Sequence, residues 1–169
     1  MKKLMLIFLL CPLIASAQKI VEDKVDEFTK KHVKRSSWEN FGFSSGFSGY
    51  TRVEKIDGTI WLNLRFMTGG VVAMKDGAKF MLMTKTDSVI TLYNNTYEIS
   101  CSGCGAIGLV GSAAQGLNVS FMLPESKIVY LIQNGLKKIR LYTTDGYVER
   151  EIKEKHVKSL LRQLELVSQ

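Results

Sequence analysis

The most reactive side chains in this sequence are the thiols of Cys101 and Cys104, set two residues apart in the stretch CSGCGAIGLVGSAAQG. That stretch, from Cys101 to Gly116, carries no charge and holds five of the chain's fourteen glycines. A two-residue spacer suits thiol–disulfide exchange, in which one thiolate attacks and the other resolves the mixed disulfide. Thioredoxin-like sites lower the pKa of the first cysteine at a helix N-terminus and set a cis-proline against it. Here Gly103, Gly105, Gly108 and Gly111 each cost a following helix about 1 kcal/mol against alanine. Pro124, the one proline after residue 17, stands where a helix should begin. The expectation is therefore a structural Cys101–Cys104 disulfide, since exported chains with an even cysteine count oxidise them. A four-residue ring contributes about 2 kcal/mol by loop entropy, enough to pin a turn. A thiol–disulfide oxidoreductase using the same pair is the alternative.

Other chemistries find less. A tetrahedral zinc site needs four ligands, and beyond the two thiols only His32 and His156 could join, neither at finger-like spacing. No metal is expected. Gly103-x-Gly105-x-x-Gly108 matches the dinucleotide fingerprint by letter. That motif needs a parallel strand before it and a helix after it, and the context argues against both. No cofactor is expected. A serine or cysteine triad would have to recruit one of the same two histidines, each in a strongly charged segment. Glu149 and Glu151 could be a carboxylate pair, but a partner on their own hairpin, Arg140, explains them better. What remains is an uncharged loop with two readings. In one, Ile107, Leu109 and Val110 pack under a sheet; in the other, Gly103, Gly105, Ile107, Gly108, Leu109 and Val110 form an exposed binding loop closed by the disulfide.

The elements that position these residues are mostly strands. Ile60, Leu62, Leu64 and Phe66 alternate with Trp61, Asn63, Arg65 and Met67, a period of two. Asp57-Gly58 is a two-residue turn, so residues 50–56 should pair back antiparallel, with Val53 opposite Leu62 and Glu54 opposite Trp61. Phe80, Leu82 and Thr84 repeat the alternation, and Asn94-Asn95 suggests a hairpin tip between 89–93 and 96–100. Strands at 136–142 and 147–152 surround Asp145-Gly146; a two-residue turn there sets Arg140 opposite Glu151 and Ile139 opposite Ile152. Val21, Val25 and Phe28 have helical spacing, as do Ile128, Leu131 and Ile132 between Pro124 and Gly135, where β-branched content leaves a strand as the alternative. Val157, Leu160, Leu161 and Leu164 make the best apolar stripe, predicting a helix over 154–167. Gaps too short for crossover helices exclude a doubly wound parallel fold. The fold class expected is α+β: a twisted antiparallel sheet with a C-terminal helix and one further short helix on one face.

The chain has 169 residues, 46% hydrophobic and 23% charged, with a net charge of +7, which excludes disordered and fibrous classes. Lys2-Lys3, the apolar run Leu4 to Leu10, Pro12 and Ala15-Ser16-Ala17 form the three parts of a secretory signal, with cleavage before Gln18. The apolar run is too short to span a membrane. A lipoprotein acylated at Cys11 would need a small residue before it, where Leu10 stands. Residues 1–17 are thus read as a signal peptide and 18–169 as one domain, periplasmic or secreted. Nucleic acid is not an expected partner, since the positive excess is modest and no reading motif is present. Lys30-Lys31-His32-Val33-Lys34-Arg35 could touch a membrane surface or polyanion. The acidic Glu22, Asp23, Asp26 and Glu27 just before it favour a solvated segment instead.

The chain resembles small exported bacterial proteins of unassigned function. The resemblance rests on Asp26-Glu27-Phe28-Thr29, Ser37-Trp38-Glu39, the stretch Cys101 to Gly108, and the stretch Ile139 to Tyr147. It implies export and carries no catalytic residue over. Taken with the residues, it points to a non-enzymatic binding or structural module meeting an envelope component or an extracellular ligand.

Overall fold

The computed structural model describes residues 19–44, 47–105 and 115–169. The signal segment 1–17 and Ile107 to Val110 of the candidate loop lie outside the described residues. Within them the fold is α+β as expected: antiparallel strands dominate, joined by two helices, one of them C-terminal.

The strands divide between two main sheets, where the sequence suggested one. The larger holds β1 (Ile20–Val25), β2 (His32–Ser36), β3 (Glu39–Ser44), β4 (Phe47–Ile56), β5 (Thr59–Met67), β10 (Cys101–Ser102) and β11 (Gln115–Met122). Its order is β1-β2-β4-β5-β11-β10, and β3 pairs with β4 beyond the end of β2. The second sheet runs β13 (Gly146–Glu151), β12 (Leu136–Thr143), β7 (Lys79–Thr84), β8 (Val89–Tyr93). A short pair, β6 (Ala73–Met74) and β9 (Glu98–Ile99), completes the set.

The Asp57-Gly58 hairpin has the expected register, Val53 opposite Leu62 and Glu54 opposite Trp61. Asp57 has φ 49° and Gly58 φ 82°, the left-handed pair that a two-residue turn of this kind demands. Alternation then sends Ile60, Leu62, Leu64 and Phe66 into the core. Leu117, Val119 and Phe121 of β11 join them, as do Phe80 and Leu82 of β7. The Phe80 and Phe121 rings meet at 4.9 Å, which fastens the two sheets face to face. Helix α1 (Glu125–Asn134) starts after Pro124 and ends at Gly135, whose φ of 65° stops it. Helix α2 (Glu154–Ser168) lays Val157, Leu160, Leu164 and Val167 on the inner side of β2, β3 and β4.

Three local expectations are corrected. The segment with helical spacing at Val21 and Val25 is strand β1, because pairing with β2 sets acidic residues against basic ones. Glu22 joins Arg35, and Asp23 lies 2.7 Å from His32, so two members of the basic run meet carboxylates across their own hairpin. Asn94-Asn95 is no hairpin tip: β8 turns back onto β7 and β9 pairs with β6. Buried Asn94 instead bridges to Phe121, and its Nδ2 donates to the carbonyls of Lys75 and Thr96. Finally, the β12–β13 turn is Thr144-Asp145, which places Arg140 opposite Glu149 and Ile139 opposite Arg150. That slip of two residues keeps every side chain on its expected face, and for that reason periodicity alone did not detect it.

Candidate functional site

Cys101 and Cys104 are joined in a disulfide with their Cα atoms 5.3 Å apart. Cys101 lies exposed on β10, the chain turns through Gly103 at φ 78°, and the Cys104 N–H donates to the Cys101 carbonyl at 3.2 Å. The turn then lands flat on the sheet. A Cβ on Gly105 would stand 2.8 Å from the Phe66 carbonyl carbon and oxygen, and one on Gly116 would strike the Gly105 backbone. The glycines here permit two backbones to touch, so Gly105 is buried while Gly103 is half-exposed. Cys101 therefore sits in a strand, and Pro124 caps α1 elsewhere in the chain.

The histidines are separate. His32 Nε2 faces Asp23, and His156 on α2 donates Nδ1–H to the Asn40 carbonyl at 2.8 Å. Among the described residues no three of His, Cys, Asp and Glu gather where a metal could sit. Glu149 accepts from Lys138 at 2.8 Å and from Arg140 at 2.7 Å, and these cations hold its carboxyl below the ordinary range. Its role is ionic pairing along the hairpin.

The unusual chemistry lies on the outward face of the larger sheet, which sequence reasoning did not single out. Strand register arranges that face in rows across β4, β5 and β11: Glu54, Trp61, Met122; then Arg52, Asn63, Ser120; then Tyr50, Arg65, Asn118. The next row brings Met67, Gly116 and Cys101, so the disulfide edges the same face. Trp38, in the break between β2 and β3, folds over the second and third rows. The guanidinium carbons of Arg52 and Arg65 lie 4.5 and 4.6 Å from its ring. Such stacking holds two like charges close, because the indole quadrupole attracts both. Both tryptophans of the chain are thus on the polar side of the sheet, half-buried, and neither is in the core.

Glu54, buried in this face, accepts from Arg35 Nε at 2.7 Å and lies 3.6 Å from Arg52. Arg35 also pairs with Glu22. Burial pushes the Arg52 guanidinium below its ordinary value, Glu54 opposes that, and Arg35 and Arg65 add to it. Ser120 donates to Asn63 Oδ1 at 2.5 Å, and Arg65 Nε to Asn118 Oδ1 at 3.4 Å. Two donors in the middle row, Arg52 Nε and Asn63 Nδ2, are buried without a hydrogen-bond partner. Asn63 is only 4% exposed. An unsatisfied buried donor costs about 1–3 kcal/mol, so two adjacent ones set this row apart from an ordinary solvated face.

The signal that could have found this face was in the alternation itself. Trp61, Asn63 and Arg65 share one side of β5, and a tryptophan beside an amide and a guanidinium is unusual on a merely solvated face. Arg52 follows from the expected Asp57-Gly58 register, and the contribution of Trp38 needed the structure. Beside the face, a cleft of about 380 Å³ opens between Thr68-Gly69-Gly70 and the β12–β13 hairpin at Asp145, Tyr147 and Arg150. No family model matches the chain, and neither a curated protein nor a solved structure matches it.

Proposed function

We propose that the chain is exported behind its cleaved signal and acts as a non-catalytic binding module of the cell envelope or extracellular space. Its recognition surface is the outward face of the seven-stranded sheet. The observation that carries this reading is the middle row: Arg52 Nε and Asn63 Nδ2 are adjacent, buried and without acceptors, beneath a tryptophan that clamps two guanidiniums. A protein surface that serves only solubility keeps its donors hydrated. A surface that receives a ligand holds them fixed in advance and lets the ligand supply the acceptors.

The test is a titration followed at the isotope-labelled indole N–H groups of Trp38 and Trp61, using soluble saccharides, peptides and nucleotides as probes. The expected outcome is that at least one class shifts both indoles, and that Arg52→Gln/Arg65→Gln abolishes the shift. Shifts confined to the disulfide turn, or none from any class, would refute the reading.

A thiol–disulfide oxidoreductase at Cys101 and Cys104 is the second reading, and exposure of Cys101 on β10 favours it. It requires insulin reduction that is lost in Cys101→Ser and a potential in the oxidoreductase range. A disulfide resistant to glutathione would end it.

A further inference from the structure

We infer that the tip of the β1–β2 hairpin is a membrane-surface contact: Phe28 enters the headgroup–acyl boundary of an anionic bilayer, and the lysines beside it meet the lipid phosphates. The inference goes beyond the binding-module reading and rests on different residues. Phe28 stands in the turn between β1 and β2 and is 94% exposed, the largest value among the exposed large hydrophobic residues described. Val25, at the end of β1, is 56% exposed. The turn that presents them is fixed. Asp26 N–H donates to the Lys31 carbonyl and Lys30 N–H to the Asp26 carbonyl, both at 2.9 Å. Asp26 Oδ1 accepts from the Phe28 and Thr29 N–H groups at 3.1 and 2.7 Å, and from the Thr29 hydroxyl at 2.8 Å. The turn also projects. Asp57 N–H donates to the His32 carbonyl, so β4 has already ended beside His32, where this hairpin runs on through residues 26–31.

Charge then selects the surface. Residues 24–34 hold four lysines and two carboxylates, Asp26 and Glu27. The acidic pair just before them, Glu22 and Asp23, faces Arg35 and His32 across the hairpin. Lys24, Lys30 and Lys31 are exposed; Lys24 lies 3.3 Å from Glu22, and Lys30 and Lys31 make no ion pair among the described residues. An aromatic residue flanked by lysines is the composition of an interfacial contact, because the ring enters the boundary while each long stem lets its ammonium reach phosphate. A scattered apolar side chain on a solvated surface is ordinary, but it needs neither a fixed turn nor a flank of unpaired cations. A protein partner fits less well. A stable protein interface takes about 800 Å² from each side, and a two-stranded tip offers one aromatic among lysines. A bilayer admits a single side chain without a complementary surface. The contact is reversible, as even a single acyl chain binds only marginally.

The experiment is cosedimentation of the mature chain with vesicles of phosphatidylcholine alone, and of phosphatidylcholine with an equal part of phosphatidylglycerol. Binding to the mixed vesicles is expected, at least about tenfold tighter than to the neutral ones. Phe28→Ser, at a site too exposed to disturb the fold, should weaken it at least about tenfold with the melting temperature unchanged. Lys30→Gln and Lys31→Gln should each weaken it about fivefold, the effect of one charge near an anionic surface. Lys79→Gln, exposed on β7, should leave it unchanged. Salt of about half molar should erase the preference for the mixed vesicles. Phe28→Trp should add a blue-shifted emission that acyl-brominated lipid quenches. No cosedimentation, undiminished binding of Phe28→Ser, an equal loss in Lys79→Gln, or an unquenched indole at position 28 would each overturn the contact. An indole there that shifts only when a second protein is added would make the partner a protein and overturn the lipid reading. These readouts are separate from the shifts of Trp38 and Trp61, so the ligand face stands or falls on its own test.

Discussion

Gln163 is a polar residue beside the apolar stripe of α2, and the structure buries it completely. Its Nε2 donates to Ser36 Oγ at 3.2 Å, the Ser37 carbonyl at 2.7 Å and the Thr51 carbonyl at 3.1 Å. Its Oε1 accepts from Thr51 Oγ1 at 3.0 Å. One side chain thus ties α2 to two strands and satisfies groups that α2 itself shuts off from water. Gln163→Leu fits the space but orphans those partners, and should cost about 3 kcal/mol in urea unfolding. His156 gives a pH dependence at the same scale. Burial lowers its pKa, with the Asn40 carbonyl opposing and Lys155 and Lys153 reinforcing. The folded state therefore prefers neutral imidazole. Its contribution is whole above the unfolded value of about 6.5 and is lost as pH falls through the window below. The melting temperature should drop between pH 7 and pH 5, and His156→Gln should flatten that drop.

At the scale of elements, the stacking of Gly105 on Gly116 decides how the disulfide turn meets the sheet. Gly116→Ala would drive a methyl into the Gly105 backbone, which has no flexible end to yield. A loss of at least about 2 kcal/mol is expected by chemical denaturation, since overpacking at a backbone contact has no cheap relief. The disulfide itself closes a short ring. Reduction should lower stability by about 2 kcal/mol and leave the far-ultraviolet circular dichroism unchanged, because the sheet rows persist without it. The Asp57-Gly58 hairpin and both predicted helices were legible because each is specified locally, by turn chemistry or by one apolar stripe. The β1 segment misled because its apolar spacing is sparse. What made it a strand was charge pairing with β2, a contact absent from any local window.

Across the whole molecule, two sheets and α2 share one core, so the fold should unfold as a unit. Phe121 reaches from the larger sheet to Phe80 of the smaller one and is fully buried. Phe121→Ala should cost about 3–5 kcal/mol. Near- and far-ultraviolet transitions should remain coincident in the variant, as one cooperative core requires. The candidate binding face is a product of this same scale. Sequence period showed that Trp61, Asn63 and Arg65 share a side of one strand. The expected Asp57-Gly58 register also set Arg52 opposite Asn63, but it could not show that Trp38 folds back over Arg52 and Arg65. Cysteine spacing drew attention to Cys101 and Cys104, and the structure places them at the border of the face, with the turn pressed onto the sheet.

By itself the amino-acid sequence determined the α+β class, the 50–67 hairpin, the two helices and the inward side of the strands at 60–67 and 80–84. Those follow from periodicity and turn chemistry, which act over a few residues. Tertiary structure alone decided how strands are shared between sheets, the partner of Arg140, and the folding of Trp38 over Arg52 and Arg65. These depend on pairings between segments far apart in the chain, where a two-residue slip leaves the pattern of faces unchanged and only the full packing of the core selects the register.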